Sequence, residues 1–218
     1  MRENPVKIAV LVSGGGTNLQ ALIDAQQSGI IKSGKIELVI ANNSGAYALE
    51  RAAKAGIKTA TVLKKELGSA EAFEQKIKDL LTENGIEIIV LAGFMAILSE
   101  NFTKDYPKRI INVHPALIPS FCGDGYYGLH VHEKVLEYGV KLTGATAHFV
   151  SEVTDGGPII LQKAVEVKEG DTPEVLQRRV MEEAEWQILP KAISLYCEGR
   201  LSVEGRIVHI KESSEEQA

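Results

Sequence analysis

Two separate motifs could together perform acyl transfer. Asn112 and His114 lie two positions apart at the end of an apolar run, and alternate residues of a strand point to the same face. Such an amide and imidazole could stabilise a developing oxyanion while the imidazole handles a proton. Asp155 begins an Asp-Gly-Gly-Pro turn, and a carboxylate beside the imidazole would orient it and raise its pKa. The alternative interpretation is a core histidine, a strand-end asparagine and an ordinary turn residue.

The loop Ser-Gly-Gly-Gly-Thr-Asn at 13–18 lies where a predicted strand passes into a predicted helix. Backbone N–H groups and the positive end of the helix dipole converge there, which favours a bound phosphate. The loop lacks the Lys-Ser/Thr pair of a P-loop. Leu19 occupies the third glycine position of a dinucleotide fingerprint, and Asn42-Asn43 ends the second strand where a ribose-binding acid is expected. A tight glycine turn without a ligand is the alternative.

Short apolar runs alternate with amphipathic segments through the first half of the chain. Strands that are apolar on both faces and alternate with helices predict a parallel sheet covered on both sides. Both motifs then lie at the carboxyl ends of strands, the edge at which such sheets bind ligands. The predicted strands are 7–12, 36–41, 59–63, 86–92 and 110–114, and the predicted helices are 18–25, 47–55, 69–83 and 101–106.

The alternation stops after His114. Two strand-like runs follow one another with only a loop between them, so we expect them to add antiparallel strands to the same sheet. The fold class is therefore predicted as α/β, a doubly wound and mostly parallel mixed sheet with helices on both faces. The predicted elements of this part are a Pro- and Gly-rich loop at 115–128, a helix at 130–138, strands at 143–150 and 158–167, a helix at 173–197, a hairpin of 201–204 and 207–210, and a frayed tail at 211–218.

The composition excludes several classes of protein. The chain has 218 residues with 44% hydrophobic and 24% charged residues, which is typical of a globular protein. Its net charge of -5 disfavours a general nucleic-acid surface. No apolar run approaches the ~20 residues of a membrane span, and the run before Ser13 is too short for a signal peptide, so we expect a cytoplasmic protein. His130 and His132 lack an acidic partner at metal-ligand spacing, and we expect no metal site.

Nearly the whole chain resembles the phosphoribosylglycinamide formyltransferases of purine synthesis. The Asn-x-His-Pro-x-Leu-x-Pro motif with a later Asp-Gly-Gly-Pro is typical of formyltransferases in general. The opening Ser-Gly-x-Gly-x-Asn is typical of the branch whose substrate is a free small molecule. The matching segments are SGGGTNLQALID at 13–24, LAGFMAILS at 91–99, RIINVHPALIPSF at 109–121, GATAHFVSEVTDGGPIILQKAVEV at 144–167 and LYCEGRLSVEGR at 195–206.

The resemblance implies direct transfer of formyl from the co-substrate 10-formyltetrahydrofolate to the amine of glycinamide ribonucleotide. It also implies one Rossmann-like formyltransferase domain over 1–218, with a nucleotide-binding half at 7–114 and a folate-side half at 115–210. The partners would be these small molecules, with neither nucleic acid nor membrane, in a monomer or homodimer. The implied catalytic residues are Asn112, His114 and Asp155, and the implied substrate-binding residues are Gly16, Thr17 and Asn18 for the phosphate and Glu185 for the ribose. The implied folate-binding residues are Met95, Ala96, Ile97, Leu98, Asn112, Ser151, Val153 and Asp155.

The sequence departs from the family pattern at several positions. Ala96 stands where arginine is usual, Ala70 where some members have arginine, and Trp186 where histidine is usual. The loop at 121–128 is longer than usual, and the stretch 180–190 has one extra residue. The alternatives to the formyltransferase are a formyltetrahydrofolate deformylase and a methionyl-tRNA formyltransferase, each of which we expect to carry an added domain, or a non-catalytic nucleotide- or folate-binding module.

Overall fold

The computed structural model describes residues 4–212, and one nine-stranded sheet runs through them. The strands are β1 (Val6–Val12), β2 (Gly34–Ala41), β3 (Lys58–Thr61), β4 (Ile88–Leu91), β5 (Ile110–His114), β6 (Leu142–Phe149), β7 (Ile159–Glu166), β8 (Leu201–Glu204) and β9 (Ile207–Ile210). The helices are α1 (Thr17–Gln27), α2 (Tyr47–Lys54), α3 (Lys64–Leu67), α4 (Ala70–Glu83), α5 (Glu100–Asp105), α6 (Leu129–Tyr138), α7 (Pro173–Val180) and α8 (Trp186–Cys197). The strand order is β3-β2-β1-β4-β5-β6-β7-β9-β8, which confirms the predicted mixed α/β sheet.

The first five strands of this order are parallel, as the alternation of strands and helices predicts. In β1, Val10 and Val12 pack into the apolar cluster on one face of the sheet, and Ala9 and Leu11 pack into the cluster on the other face. Helices α1, α2 and α8 contribute to the first cluster, and α4 and α5 contribute to the second. A strand that is apolar on both faces is thus covered by helices on both.

The sheet changes direction after β5. Strand β6 pairs antiparallel with β5, and β7 pairs antiparallel with β6, which confirms the predicted extension of the same sheet. The hairpin of β8 and β9 joins the edge through a parallel pairing of Ile159 with Ile207. The reversal also sets Asn112 of β5 directly opposite His148 of β6, so it brings two polar side chains together.

The predicted helix at 173–197 is interrupted by a π-helical turn at Met181–Glu185, between α7 and α8. A π turn contains one residue more than an α turn, and such turns occur frequently at functional sites. The stretch 180–190, for which the family pattern indicates one extra residue, contains this turn. Ala184 and Glu185 are both buried there, so the π turn presents Glu185 to the interior.

The remaining differences from the predicted elements are small. Helix α3 is a single turn between β3 and α4, and no apolar period marks so short a helix. Of the predicted tail, residues 213–218 lie outside the described part of the chain, as do residues 1–3. Within residues 4–212, every helix is too short or too polar to cross a membrane.

Gly144 in β6 provides a test of the packing between β6 and β7. A Cβ atom at this position would lie 2.0 Å from the carbonyl oxygen of Lys163 and 2.9 Å from Cδ2 of Leu117. Backbone cannot move aside as a flexible side chain can, so we expect Gly144→Ala to lower the free energy of unfolding by about 2–3 kcal/mol. Gly45→Ala is the control, because its Cβ would meet only Oδ1 of Asn43 at 3.7 Å. Equal urea midpoints for the two variants would contradict this account of the sheet.

Candidate active site

The three predicted catalytic residues line one cleft at the carboxyl ends of the parallel strands. The cleft has a volume of about 810 Å³. The segments that follow β4 and β5 form two of its walls, and residues 148–155 at the end of β6 form another. Asn112, His114 and Asp155 lie in its lining together with Asn18 and Glu185. The fold therefore brings together residues from both halves of the chain.

His114 has an acceptor beside each ring nitrogen. Its Nε2 lies 2.7 Å from the carbonyl oxygen of Phe121, and because a carbonyl can only accept, Nε2 donates. Its Nδ1 lies 3.4 Å from Oδ2 of Asp155. Since Nε2 holds its hydrogen for the carbonyl, Nδ1 is the ring atom that gains or loses a proton.

Burial lowers the pKa of His114, and it outweighs the raising effects of the Asp155 charge and the Phe121 carbonyl. Asp155 therefore raises the pKa of this imidazole as expected, but burial makes the net shift a lowering. Burial raises the pKa of Asp155, but His148, His114 and the Gly123 N–H together bring it below its usual value. An ionised carboxylate thus faces a neutral imidazole whose Nδ1 can accept a proton.

Both groups that hold His114 come from residues with an unfavourable backbone conformation. Phe121 has a φ of 49° and Asp155 a φ of 53°, in the left-handed region that non-glycine residues rarely adopt. Within residues 4–212, only Ser33 and Lys108 are further non-glycine residues with positive φ. Such conformations persist where the surrounding structure over-determines them, and they cluster at functional sites.

His148 is a site residue that the sequence reasoning did not select. Its Nδ1 donates to the carbonyl oxygen of Phe149 at 3.0 Å, which leaves Nε2 to face the cleft. That Nε2 lies 3.2 Å from the amide nitrogen of Asn112 and 3.6 Å from Oδ1 of Asp155. The Asn112 amide and the Asp155 carboxylate therefore both lie beside Nε2 of His148, which positions Asn112 from β6. Its place in the site follows from the register of β5 and β6, which pairs His148 with Asn112 and which a single sequence does not show.

The predicted glycine loop is braced by helix α2. Gly16 has a φ of 70°, and a Cβ there would lie 2.6 Å from Cβ of Ala48, so both conformation and space require glycine. The N–H of Ala48 donates to the carbonyl of Gly14 at 3.1 Å. Nε of Arg51 donates to the carbonyl of Gly15 at 2.8 Å. Arg51, which the sequence reasoning did not select, therefore places a positive charge beside the loop.

The start of α1 is joined to the π turn across the cleft. Nδ2 of Asn18 donates to Oε2 of Glu185 at 2.6 Å, and Oγ1 of Thr17 lies 3.7 Å from the sulfur of Met181. Asn18 and Glu185 line the cleft, whereas Gly16 and Thr17 lie outside its lining. Of the four predicted substrate-binding residues, two therefore face the cleft and two lie beside its end.

The predicted folate-binding segment follows β4 along one wall. Met95 and Ile97 are 53% and 83% exposed, so large apolar side chains surround the opening. The backbone N–H of Met95 donates to Oγ of Ser13 at 2.8 Å, which connects this wall to the glycine loop. Ser151 also lines the cleft, but Val153 is exposed outside the lining. The cleft-lining residues of this prediction are Met95, Ala96, Ile97, Leu98, Asn112, Ser151 and Asp155.

Comparison with known proteins agrees with this geometry. Residues 6–193 match the model of the formyl transferase family. The chain belongs to this family. It is 41% identical to the phosphoribosylglycinamide formyltransferase of Escherichia coli over 91% of the chain and 90% of that protein. It also matches the structure of glycinamide ribonucleotide transformylase 1 from Symbiobacterium toebii, with a TM-score of 0.90, 42% identity and coverage of 97% and 96% of the two chains.

Another relative of this formyl transferase is much longer. The trifunctional purine biosynthetic protein adenosine-3 of Gallus gallus is 44% identical over 93% of the chain, but the match covers only 20% of that protein. The chain therefore spans about a fifth of the length of the trifunctional relatives from Gallus gallus, Bos taurus and Homo sapiens.

His132 in this formyl transferase lies at the cleft with both ring nitrogens buried and without hydrogen-bond partners among the described residues. Burial and the neighbouring His114 lower its pKa to about 4, so His132 stays neutral at physiological pH. In residues 4–212, His, Cys, Asp and Glu side chains form no group of three or more arranged to hold a metal ion.

Glu185 of this formyl transferase makes folding depend on pH. Burial raises its pKa from 4.5 to about 7, against a smaller lowering by the Asn18 hydrogen bond. The folded protein therefore binds this proton more tightly than the unfolded chain, so stability is lost as pH rises from about 4.5 to about 7.

Glu185→Gln tests this linkage. The amide oxygen can still accept from Asn18, but the residue no longer ionises. We expect the difference in unfolding free energy between the variant and the wild type to grow by about 3 kcal/mol in the variant's favour as pH rises through that interval. Urea titrations across the interval measure it. If the unfolding free energies of the two proteins change with pH in the same way, Glu185 does not have a raised pKa in the folded protein.

Proposed function

We propose that the protein transfers a formyl group from 10-formyltetrahydrofolate to the amine of glycinamide ribonucleotide, in purine synthesis. The observation that carries the proposal is the cleft in which Asn112, His114 and Asp155 lie between the glycine loop and the apolar wall after β4. Membership of the formyl transferase family and the names of its relatives support the same reaction.

The substrate is bound at the glycine-loop end of the cleft. Its phosphate receives hydrogen bonds from the backbone N–H groups of Gly16, Thr17 and Asn18, where the dipole of α1 favours an anion. Glu185 accepts hydrogen bonds from the ribose hydroxyls. The support for this orientation is that Asn18 and Glu185 already meet at the cleft, 2.6 Å apart, with Arg51 beside the loop.

The folate is bound along Met95, Ala96, Ile97 and Leu98, with Ser151, Val153 and Asp155 closing over it. It serves as co-substrate, and the proposal requires no metal. Exposed apolar side chains at Met95 and Ile97 support this assignment because they offer a surface for an aromatic ring system. A single domain over 1–218, a cytoplasmic location and a monomeric or homodimeric state stay predictions from the sequence.

The chemistry is direct acyl transfer. The amine nitrogen attacks the formyl carbon, a carbon–nitrogen bond forms, and the carbonyl oxygen becomes an oxyanion. Nδ1 of His114 takes the proton of the attacking nitrogen, directly or through a water, and Asp155 stabilises the imidazolium that results. The Asn112 amide and Nδ1–H of His114 donate to the oxyanion. The bond to the folate nitrogen then breaks, and that nitrogen takes up the proton.

A direct assay tests the proposal. Purified protein and 10-formyltetrahydrofolate are combined with glycinamide ribonucleotide, with water alone and with methionyl-tRNA, and formyl transfer and folate consumption are followed. We expect rapid transfer to the ribonucleotide only. Consumption of the folate in water alone would favour a deformylase, transfer to the tRNA would favour the tRNA enzyme, and folate binding without turnover would favour a binding module.

The catalytic assignments make a separate prediction. His114→Ala removes the proton acceptor, and Asp155→Asn removes the charge that stabilises the imidazolium, so each is expected to lower kcat by about 100- to 1000-fold. His130→Ala is the matched control, since His130 is an exposed histidine of α6 paired with Glu133. Thermal melts check that all three variants fold. Turnover within fivefold of the wild type in either catalytic variant would refute its role.

A further inference from the structure

The loop at 121–128 contacts the catalytic pair through its backbone. The carbonyl of Phe121 accepts from Nε2 of His114 at 2.7 Å. The N–H of Gly123 donates to Oδ2 of Asp155 at 2.9 Å. One loop thus holds both the imidazole and the carboxylate, through a backbone carbonyl and a backbone N–H. The position of this backbone decides whether His114 and Asp155 face each other.

The segment that leads into the loop is held by side chains of β6 and β7. The backbone N–H of Ile118 donates to Oγ1 of Thr146 at 3.1 Å, and Nε2 of Gln162 donates to the carbonyl of Ile118 at 2.9 Å. The ring of Phe121 then packs edge-on against Tyr126 and Tyr138, with centroids 6.3 Å and 5.8 Å apart. These contacts hold the chain as far as Phe121.

The middle of the loop is a glycine-rich turn, in which the N–H of Tyr126 donates to the carbonyl of Gly123 at 3.1 Å. Gly123 and Gly125 have φ values of 89° and 87°, a conformation that glycine adopts at no steric cost and can also leave easily. Asp124 lies between them. Its Oδ1 accepts from Oγ1 of Thr154 at 3.0 Å. This side-chain hydrogen bond connects the glycine-rich middle of the loop to the turn that carries Asp155.

We propose that Asp124 is a positioning residue for the reaction. Through Thr154 it holds the loop at 121–128 in the place where Gly123 and Phe121 orient Asp155 and His114. The proposal rests on the formyl transfer proposed above, and it deepens that assignment by adding a residue outside the catalytic trio. Asp124 acts as a hydrogen-bond acceptor, so its negative charge is not required.

The test compares variants that keep or remove this acceptor. Asp124→Ala and Thr154→Val each delete the hydrogen bond, and we expect kcat to fall about 3- to 10-fold with KM for both substrates within twofold of the wild type. Asp124→Asn and Thr154→Ser keep an acceptor and a hydroxyl and are expected to restore kcat to within twofold. Glu137→Ala, at an exposed acid of α6 paired with Lys134, is the control for loss of an exposed acidic side chain.

The double variant decides whether the two side chains act together. Because they share one hydrogen bond, Asp124→Ala combined with Thr154→Val should lower kcat no more than the stronger single variant, within twofold. Multiplied effects in the double variant would overturn the proposal. So would an Asp124→Asn variant as slow as Asp124→Ala, since that result would assign the effect to charge.

A spectroscopic measurement separates this proposal from the proposed function. Nitrogen-15 NMR of the histidine rings reports which nitrogen of His114 carries the hydrogen, without any turnover. We expect wild type and Asp124→Asn to show one Nε2–H form, and Asp124→Ala to show a mixture of the two neutral forms. An unchanged ring in Asp124→Ala would overturn the positioning role even if formyl transfer is established. If the histidine spectra of the three proteins follow this pattern but the wild type transfers no formyl, the function alone would be refuted.

Discussion

The site depends on one constraint, which is that each ring nitrogen of His114 faces an acceptor held by the fold. The Phe121 carbonyl fixes the hydrogen on Nε2, and the Asp155 carboxylate faces Nδ1. These two contacts come from the loop after β5 and from the turn after β6, so neither segment can move without changing the surroundings of the imidazole. The long Nδ1 to Asp155 distance of 3.4 Å leaves this nitrogen able to serve a second group in the cleft.

The change of strand direction at β5 makes this arrangement possible. In a parallel pair the two strands run in the same direction, so the end of the second strand would lie beside the end of the first. The antiparallel β6, which follows the loop at 115–128 and α6, instead runs back along β5. It sets His148 against Asn112 and leads directly into the turn of Asp155. The mixed topology is therefore part of the site's geometry.

Much of this could be read from the sequence, because apolar periodicity and turn residues carry local information. The parallel strands and the antiparallel extension follow from such patterns, whereas the grouping of Asp155 with Asn112 and His114 is what the resemblance to formyltransferases implies. The roles of Phe121 and Gly123 could not be read, since a backbone carbonyl and N–H have no sequence signature. The direction of the His114 pKa also depends on burial, which a single sequence does not reveal.

The charged residues in and beside the cleft also affect how a substrate would be oriented. Among the described residues, the cleft lining contains no Lys or Arg. It does contain the acids Asp124, Glu152, Asp155 and Glu185. Arg51 lies instead at the glycine loop, beyond the end of this lining. On the proposed function, the acceptor carries an anionic phosphate at one end and an amine at the other. Asp124, Glu152 and Asp155 repel the phosphate from the cleft centre and attract a protonated amine, so charge alone favours the orientation that brings the amine to Asp155. The amine must then lose this proton before it attacks.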